Sequence, residues 1–186
     1  MEEGPDAASA APPPRNYCAG VLVVSFVGGH ARVLLGNGHD GWSDFGGKNE
    51  WPDHRSTKAT ALRELAEETL GAVDPALLVF AREPLTSETL TKKAYYMYVA
   101  LYPEEAARAA LQEFERARMN PARVGRLEKR ELRWFDLTTL DAAFGYRMRS
   151  VFLDTLVKNR DAIDRRVSAL QRNDTSEIEG VSPVGA

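Results

Sequence analysis

The chain has little of several things: among its 186 residues are one cysteine, three histidines and three tryptophans. The lone thiol, Cys18, cannot close an intrachain disulfide, so a disulfide-stapled scaffold is excluded. His30, His39 and His54 are scattered and stand at no metal-ligand spacing with the cysteine, which excludes a zinc site of the usual composition. Long apolar runs are missing too. The longest, AYYMYVALY from Ala94 to Tyr102, is less than half of the roughly 20 residues that a membrane-crossing helix takes. The opening residues carry acids where a secretory leader has a basic end and an apolar stretch, so a reducing compartment, the cytoplasm, is the expected location. Nor is charge of one sign in excess. With 24 Lys and Arg against 27 Asp and Glu the net charge is -3, which sets up no overall field for nucleic acid and counts against a long RNA or DNA partner.

What is present suits one globular domain: 44% of the residues are hydrophobic and 27% charged, enough for a substantial core. The two ends have too little apolar surface to offset the entropy of ordering them. Residues 1–16 and 172–186 are therefore expected as flexible tails around a domain at 17–171. Within it, AGVLVVSFVGGHARVLLG reads as two strands joined by a Gly-Gly turn. A glycine-studded loop, GNGHDGWSDFGGKNEWPDHR, follows. From Ser56 the period becomes helical, with Ala59, Leu62, Leu65, Ala66 and Thr69 on one side and Glu64, Glu67 and Glu68 on the other. Ser56 fits an N-cap, and Gly71 a left-handed stop. ALLVFAREP, KKAYYMYVALYP and ELRWFDL read as strands. A helix is expected over PEEAARAALQEFERAR, with Ala107, Ala110, Leu111 and Phe114 inward. A single long helix from Arg147 to about Leu170 would bury Phe152, Leu156, Ile163 and Val167. Strands interleaved with helices predict an α/β sheet covered by helices on both sides.

Glu64, Glu67 and Glu68 stand at i, i+3 and i+4, so three carboxylates crowd one patch of helix and need cations. Hard divalent ions take oxygen ligands and complete their shell with substrate phosphates. A solvated acidic face is the plain alternative for three glutamates taken alone. They do not stand alone, however. Phe45-Gly46-Gly47-Lys48 precedes them, and Arg63-Glu64-Leu65-Ala66-Glu67-Glu68-Thr69 with Gly71 nearby completes a pattern that resembles the Nudix hydrolase signature. The likeness in element order extends from about Ala19 to Leu170.

The resemblance implies an α/β/α sandwich with a mixed central sheet and a metal-dependent hydrolase that cleaves a diphosphate bond in a nucleoside diphosphate linked to another group. It implies catalytic roles for Arg63, Glu64, Glu67 and Glu68, and Mg²⁺ or Mn²⁺ held by Glu64, Glu67 and Glu68, with the Gly47 carbonyl and a distant acid. Glu128 or Glu131 would be that acid, Glu128 being favoured because Glu131 can simply begin a strand. The sequence departs from the signature in the spacing from Gly47 to Arg63, two residues too long, and in Arg55, which stands where the first signature Glu belongs. Arg63 must then find another carboxylate, with Asp53 the first candidate and Glu50 the second.

Trp42 could stack on a base or anchor the loop in the core. Arg55, and Lys93 beside Lys92, are candidates for substrate phosphates, as are Arg147 and Arg149; His39 and His54 border the loop. Tyr95, Tyr96 and Tyr98 alternate across a strand, and Cys18 reads as a packed thiol. The expected partner is a small phosphorylated molecule, a nucleotide, with a capped RNA end among the options. A Nudix-like module that binds a nucleotide or RNA end without cleaving it is the alternative.

Overall fold

The computed structural model describes residues 13–53, 56–89, 91–120, 127–140, 147–173, 176 and 178. Strands β1 (Tyr17–Val27) and β2 (His30–Gly38) form an antiparallel hairpin with Val23 opposite Leu34. Gly28 and Gly29 turn it at φ 60° and 84°, a pair of positive angles that a side chain would resist. Short β3 (Gly41–Ser43) returns along β2, and β4 (Phe45–Lys48) folds back on β1 with Gly47 opposite Ala19. After helix α1 (Thr57–Glu68) come β5 (Val79–Phe80), β6 (Leu85–Glu88) and β7 (Ala94–Leu101). Then follow α2 (Glu104–Arg118), β8 (Glu131–Asp136), α3 (Ser150–Lys158) and α4 (Arg160–Arg172).

β7 runs parallel to β1, and every other strand pairing among the described residues is antiparallel. The sheet is thus mixed, eight-stranded and ordered β3-β2-β1-β7-β5, with β4 also on β1, β6 on β7 and β8 on β2. Alternation along β1 sends Val21 and Val23 to one face and Leu22 and Val24 to the other. On the first face Ala61 and Leu65 of α1 and Ala107, Ala110 and Phe114 of α2 close the core. On the second, Phe152 and Leu156 of α3 and Ile163, Val167 and Leu170 of α4 do so. A strand buried on both faces reads as the unbroken Val and Leu run seen here. The architecture is the expected α/β/α sandwich.

Four expectations change. The last helix is two: Asn159 interrupts it at φ -113°, ψ 15°, its side-chain amide donating to the Thr155 carbonyl at 2.9 Å, the local bond by which asparagine competes with helix. β5 is two residues long because Asp74 and Pro75 start a 3-10 turn over Pro75–Leu77. β6 was not anticipated; its polar Thr-Ser-Glu lacks the alternation of a half-buried strand because it lies at the rim, paired among the described residues only with β7. Within the stretch expected as a C-terminal tail, Ile178 is 1% exposed and bridges Ala81. This apolar side chain in a polar stretch belongs to the second core cluster; the rest of that stretch beyond Asn173, apart from Ser176, lies outside the described residues.

Candidate functional site

Helix α1 begins at Ser56, whose hydroxyl accepts from the Ala59 N–H at 3.2 Å. It ends where Leu70 and Gly71 turn left-handed, at φ 55° and 76°. The face it turns to the sheet carries Thr60, Ala61, Glu64, Leu65 and Glu68, so the glutamates expected on the outer side split: Glu64 and Glu68 point inward and Glu67 stays exposed. The glycine pair of β4 makes this possible. A Cβ at Gly47 would stand 2.5 Å from Glu64 Oε1, and one at Gly46 would stand 2.7 Å from the Tyr95 hydroxyl. Bare backbone lets the carboxylates lie against the strand, where the Gly46 N–H donates to Glu68 Oε2 at 2.9 Å.

Beneath them is a buried polar network that the sequence reading missed. Lys129, 4% exposed, sends its ammonium to Ser43 Oγ at 2.7 Å, to the Asp44 carbonyl at 3.3 Å and to Glu68 Oε1 at 3.2 Å. Its stem fits because residue 36 is glycine: a Cβ there would lie 2.8 Å from Lys129 Cγ and Cδ. The Tyr95 hydroxyl donates to the buried Asp44 carboxylate. Burial pushes Asp44 up to about 6 against the pull of Tyr95, Lys129 and Arg149. Burial, then the neighbouring Asp44 charge, raises the Tyr95 phenol. No motif announces Lys129, which sits in the alternating charges of RLEKREL like any solvated lysine.

Arg63 has found its carboxylate. Its Nε donates to Asp53 Oδ1 at 3.2 Å and its Nη2 to Asp53 Oδ2 at 3.3 Å, while Asp53 also accepts from the Glu50 N–H at 2.9 Å and the Thr60 hydroxyl at 2.7 Å. Asp53 therefore takes the place expected of it, and Glu50 stands off at 4.0 Å. The same guanidinium reaches Glu64 Oε1 at 3.0 Å, Glu67 Oε2 at 3.0 Å and the Lys48 carbonyl at 2.7 Å. It thereby ties α1 to β4. Arg55 and His54 lie outside the described residues.

A cleft of about 320 Å³ opens beside this cluster, lined by the β2–β3 turn with His39 and Asp40, by Glu68, by Glu128, Lys129 and Arg130 ahead of β8, and by Arg149 ahead of α3. Of the two acids considered, Glu128 lines the cleft and its charge acts on Glu64, whereas Glu131 pairs with Arg133 at 2.8 Å on the surface. Arg149 is pinned by its N–H to the Trp42 carbonyl at 2.9 Å. Trp42 is 5% exposed and packs edge-on against Phe135 with centroids 5.0 Å apart. A ring so covered has no face for a base, which corrects the stacking role: Trp42 anchors β3 in the core. Lys93 is half-buried near the β6–β7 turn and does not line the cleft; with Lys48 and Arg149 it opposes the upward push of burial on the half-buried Cys18 thiol. Tyr96 and Tyr98 pack on the α1 and α2 side, Tyr95 on the other.

The divalent cation implied by the signature fits part of this arrangement. Burial raises Glu64 to about 7 despite Arg63, and the Glu67 and Glu128 charges add to the push. Three acids that share the one Arg63 guanidinium are left with an excess of negative charge, the condition that a hard dication relieves. Glu68 is different. Burial raises it too, with Lys129 opposing, but both its oxygens are engaged, one by Gly46 N–H and one by the ammonium. Among the described residues no three His, Cys, Asp or Glu side chains converge as a ready-made metal cage. No helix among them is long and apolar enough to cross a membrane.

By sequence, no protein-family model and no curated protein matches the chain. By shape, an Ap4A hydrolase from C. elegans, solved as a binary complex, is similar with a TM-score of 0.54 at 15% identity, over 84% of this chain and 98% of that one. The NUDIX domain of Shewanella oneidensis NrtR, solved with ADP ribose, has a TM-score of 0.51 at 17% identity, over 79% and 87% of the two chains. A mutT/nudix family protein from Listeria innocua has a TM-score of 0.50 at 16% identity, over 86% and 96%. Of the longer NrtR chain, this chain spans 65%. At such identities the likeness concerns the fold: the sandwich is the Nudix fold.

Proposed function

We propose that the protein is a metal-dependent pyrophosphohydrolase that cleaves the diphosphate bridge of a nucleoside diphosphate linked to a second group. The observation that carries this reading is the placement of Glu64 on the bare backbone of Gly47, next to Glu67 and Glu128 and beside a cleft edged by Arg130 and Arg149. Glu64, with Glu67, Glu128 and the Gly47 carbonyl, would hold Mg²⁺ or Mn²⁺. The ion, when bound, would neutralise phosphate oxygens and make a water molecule more acidic. The chain's own residues would do the rest. Arg130 and Arg149 would orient the phosphates, Arg63 would keep Glu64 in register through Asp53, and a glutamate of the cluster would take the proton of the attacking water.

The test is a panel of diphosphates incubated with Mg²⁺ or Mn²⁺, including ADP-ribose, dinucleoside polyphosphates, sugar nucleotides, diphosphoinositol phosphates and capped RNA ends, with released phosphate groups as readout. Turnover that vanishes with chelator and returns with the ion supports the reading. Tight binding of a panel member without turnover would favour the second reading, a nucleotide-binding module. What speaks for that reading is Glu68, held by Lys129.

A further inference from the structure

We infer that the Lys129 ammonium is the resident cation of Glu68, so that the chain carries a fixed positive charge where a divalent ion would otherwise sit, and Glu68 is not a metal ligand. This deepens the metal-dependent reading above and rests on it for the site's place in the molecule.

The geometry leaves little freedom. An ammonium has three N–H donors, and Lys129 places them on Ser43 Oγ, the Asp44 carbonyl and Glu68 Oε1. All three are spent inside the protein, so although the side chain lines the cleft, meeting a substrate phosphate would break one of these bonds. On the acceptor side, each Glu68 oxygen already has one donor, the Gly46 N–H on Oε2 and the ammonium on Oε1, and keeps further lone pairs. For Glu68 to ligate a cation, the ion would have to displace an ammonium already inside the low-dielectric interior, and so would bring two positive centres together. The position is built rather than incidental: Gly36 has no side chain where Lys129 passes, and the Phe45 ring lies 3.1 Å from the same missing Cβ. Glu64 contrasts with it. Its cation, Arg63, is shared with Asp53, Glu67 and the Lys48 carbonyl, so Glu64 can exchange one contact for a metal while Arg63 keeps the others.

The experiment is a count of bound Mn²⁺ by the loss of its free electron-paramagnetic signal, on the full chain, with circular dichroism as a check on folding. Lys129→Met keeps an unbranched stem in the Gly36 cradle but removes the charge, and it should bind one Mn²⁺ more than the unaltered protein. Glu68→Gln should bind as many as the unaltered protein, with a dissociation constant within about twofold, a small fraction of the energy of a lost ligand. A folded Lys129→Met protein with no added ion, or a Glu68→Gln protein that loses one, overturns the inference. Should Lys129→Met fail to fold, Glu68→Gln decides alone. The absolute count speaks to the other question: if the unaltered chain binds no Mn²⁺, the metal-dependent reading falls, while the difference made by Lys129→Met still tests the lysine.

Discussion

Replacing Asp53 with asparagine attacks the joint between α1 and β4 without changing its shape. The carboxylate takes four donors: Arg63 Nε, Arg63 Nη2, the Glu50 N–H and the Thr60 hydroxyl. An asparagine satisfies the three on Oδ2 by turning its oxygen there, and then its NH₂ faces Arg63 Nε–H, donor against donor. A net charge-assisted bond contributes about 1.5 to 3 kcal/mol, and stripping one partner from a buried pair costs about 3 to 5 kcal/mol. Arg63 keeps Glu64, Glu67 and the Lys48 carbonyl, which places the expected loss at the lower end, about 2 to 3 kcal/mol. For a chain of this size that is a drop in Tm of about 4 to 12 °C. The pH dependence gives a second signature. Burial pushes the Asp53 carboxyl up, but Arg63, the Glu50 amide and the Thr60 hydroxyl outweigh it and hold it below its ordinary 3.8. A depressed carboxyl contributes stability above its unfolded value, and that contribution is lost as pH falls through the folded one. Urea unfolding of both proteins should therefore show a constant gap from pH 7 to 5 that closes below about pH 4. A gap under about 0.5 kcal/mol at pH 7, the range of an ordinary surface change, or one that does not narrow in acid, refutes the reasoning. Glu50→Gln, at an exposed group 4.0 Å away, should cost less than about 0.5 kcal/mol by the same measurement.

Three further outcomes are expected. Glu64→Gln should lower kcat on whichever diphosphate is turned over by about two orders of magnitude or more, with Tm near that of the unaltered chain; full turnover would remove Glu64 from the site. Gly47→Ala puts a methyl group 2.5 Å from the carboxyl end of Glu64, which can swing aside by giving up its Arg63 contact, so stability should change by less than about 1 kcal/mol while hydrolysis falls at least about tenfold. Ile178→Ala, at a side chain packed in the core, should cost about 2 to 4 kcal/mol in urea unfolding, and a chain cut after Gln171 should lose at least as much.

The hairpin of β1 and β2, the N-cap at Ser56 and the inward residues of α2 were all legible, because each rests on a local rule of period or backbone angle. The partner of Arg63 was legible as well, from counting which carboxylate a lengthened loop returns to it. The inward face of α1 was not. Hydrophobic periodicity assigns carboxylates to water, and only a strand bare of side chains, as at Gly46 and Gly47, reverses that assignment. Lys129 left no trace, since its burial follows from Gly36 and Ser43, residues about 90 positions away in sequence. Trp42 was read as two alternatives because a loop tryptophan carries no sign of whether Phe135 will meet it. Ile178 was overlooked for a related reason: composition averages over a segment and hides a single apolar side chain.

The parallel pairing of β1 with β7 also sets a clock on biosynthesis. β1 is completed on one edge by β2 and β4 soon after it emerges, but its other edge waits for Ala94–Leu101. At about 5 to 20 residues per second the ribosome needs several seconds to cover that distance. Meanwhile Val21-Leu22-Val23-Val24 offers an unpaired, charge-free strand edge, the template on which chains stick to one another. Nascent chains stalled before Ala94 should therefore be bound by chaperones that hold extended apolar segments, and chains released after Leu101 should escape them.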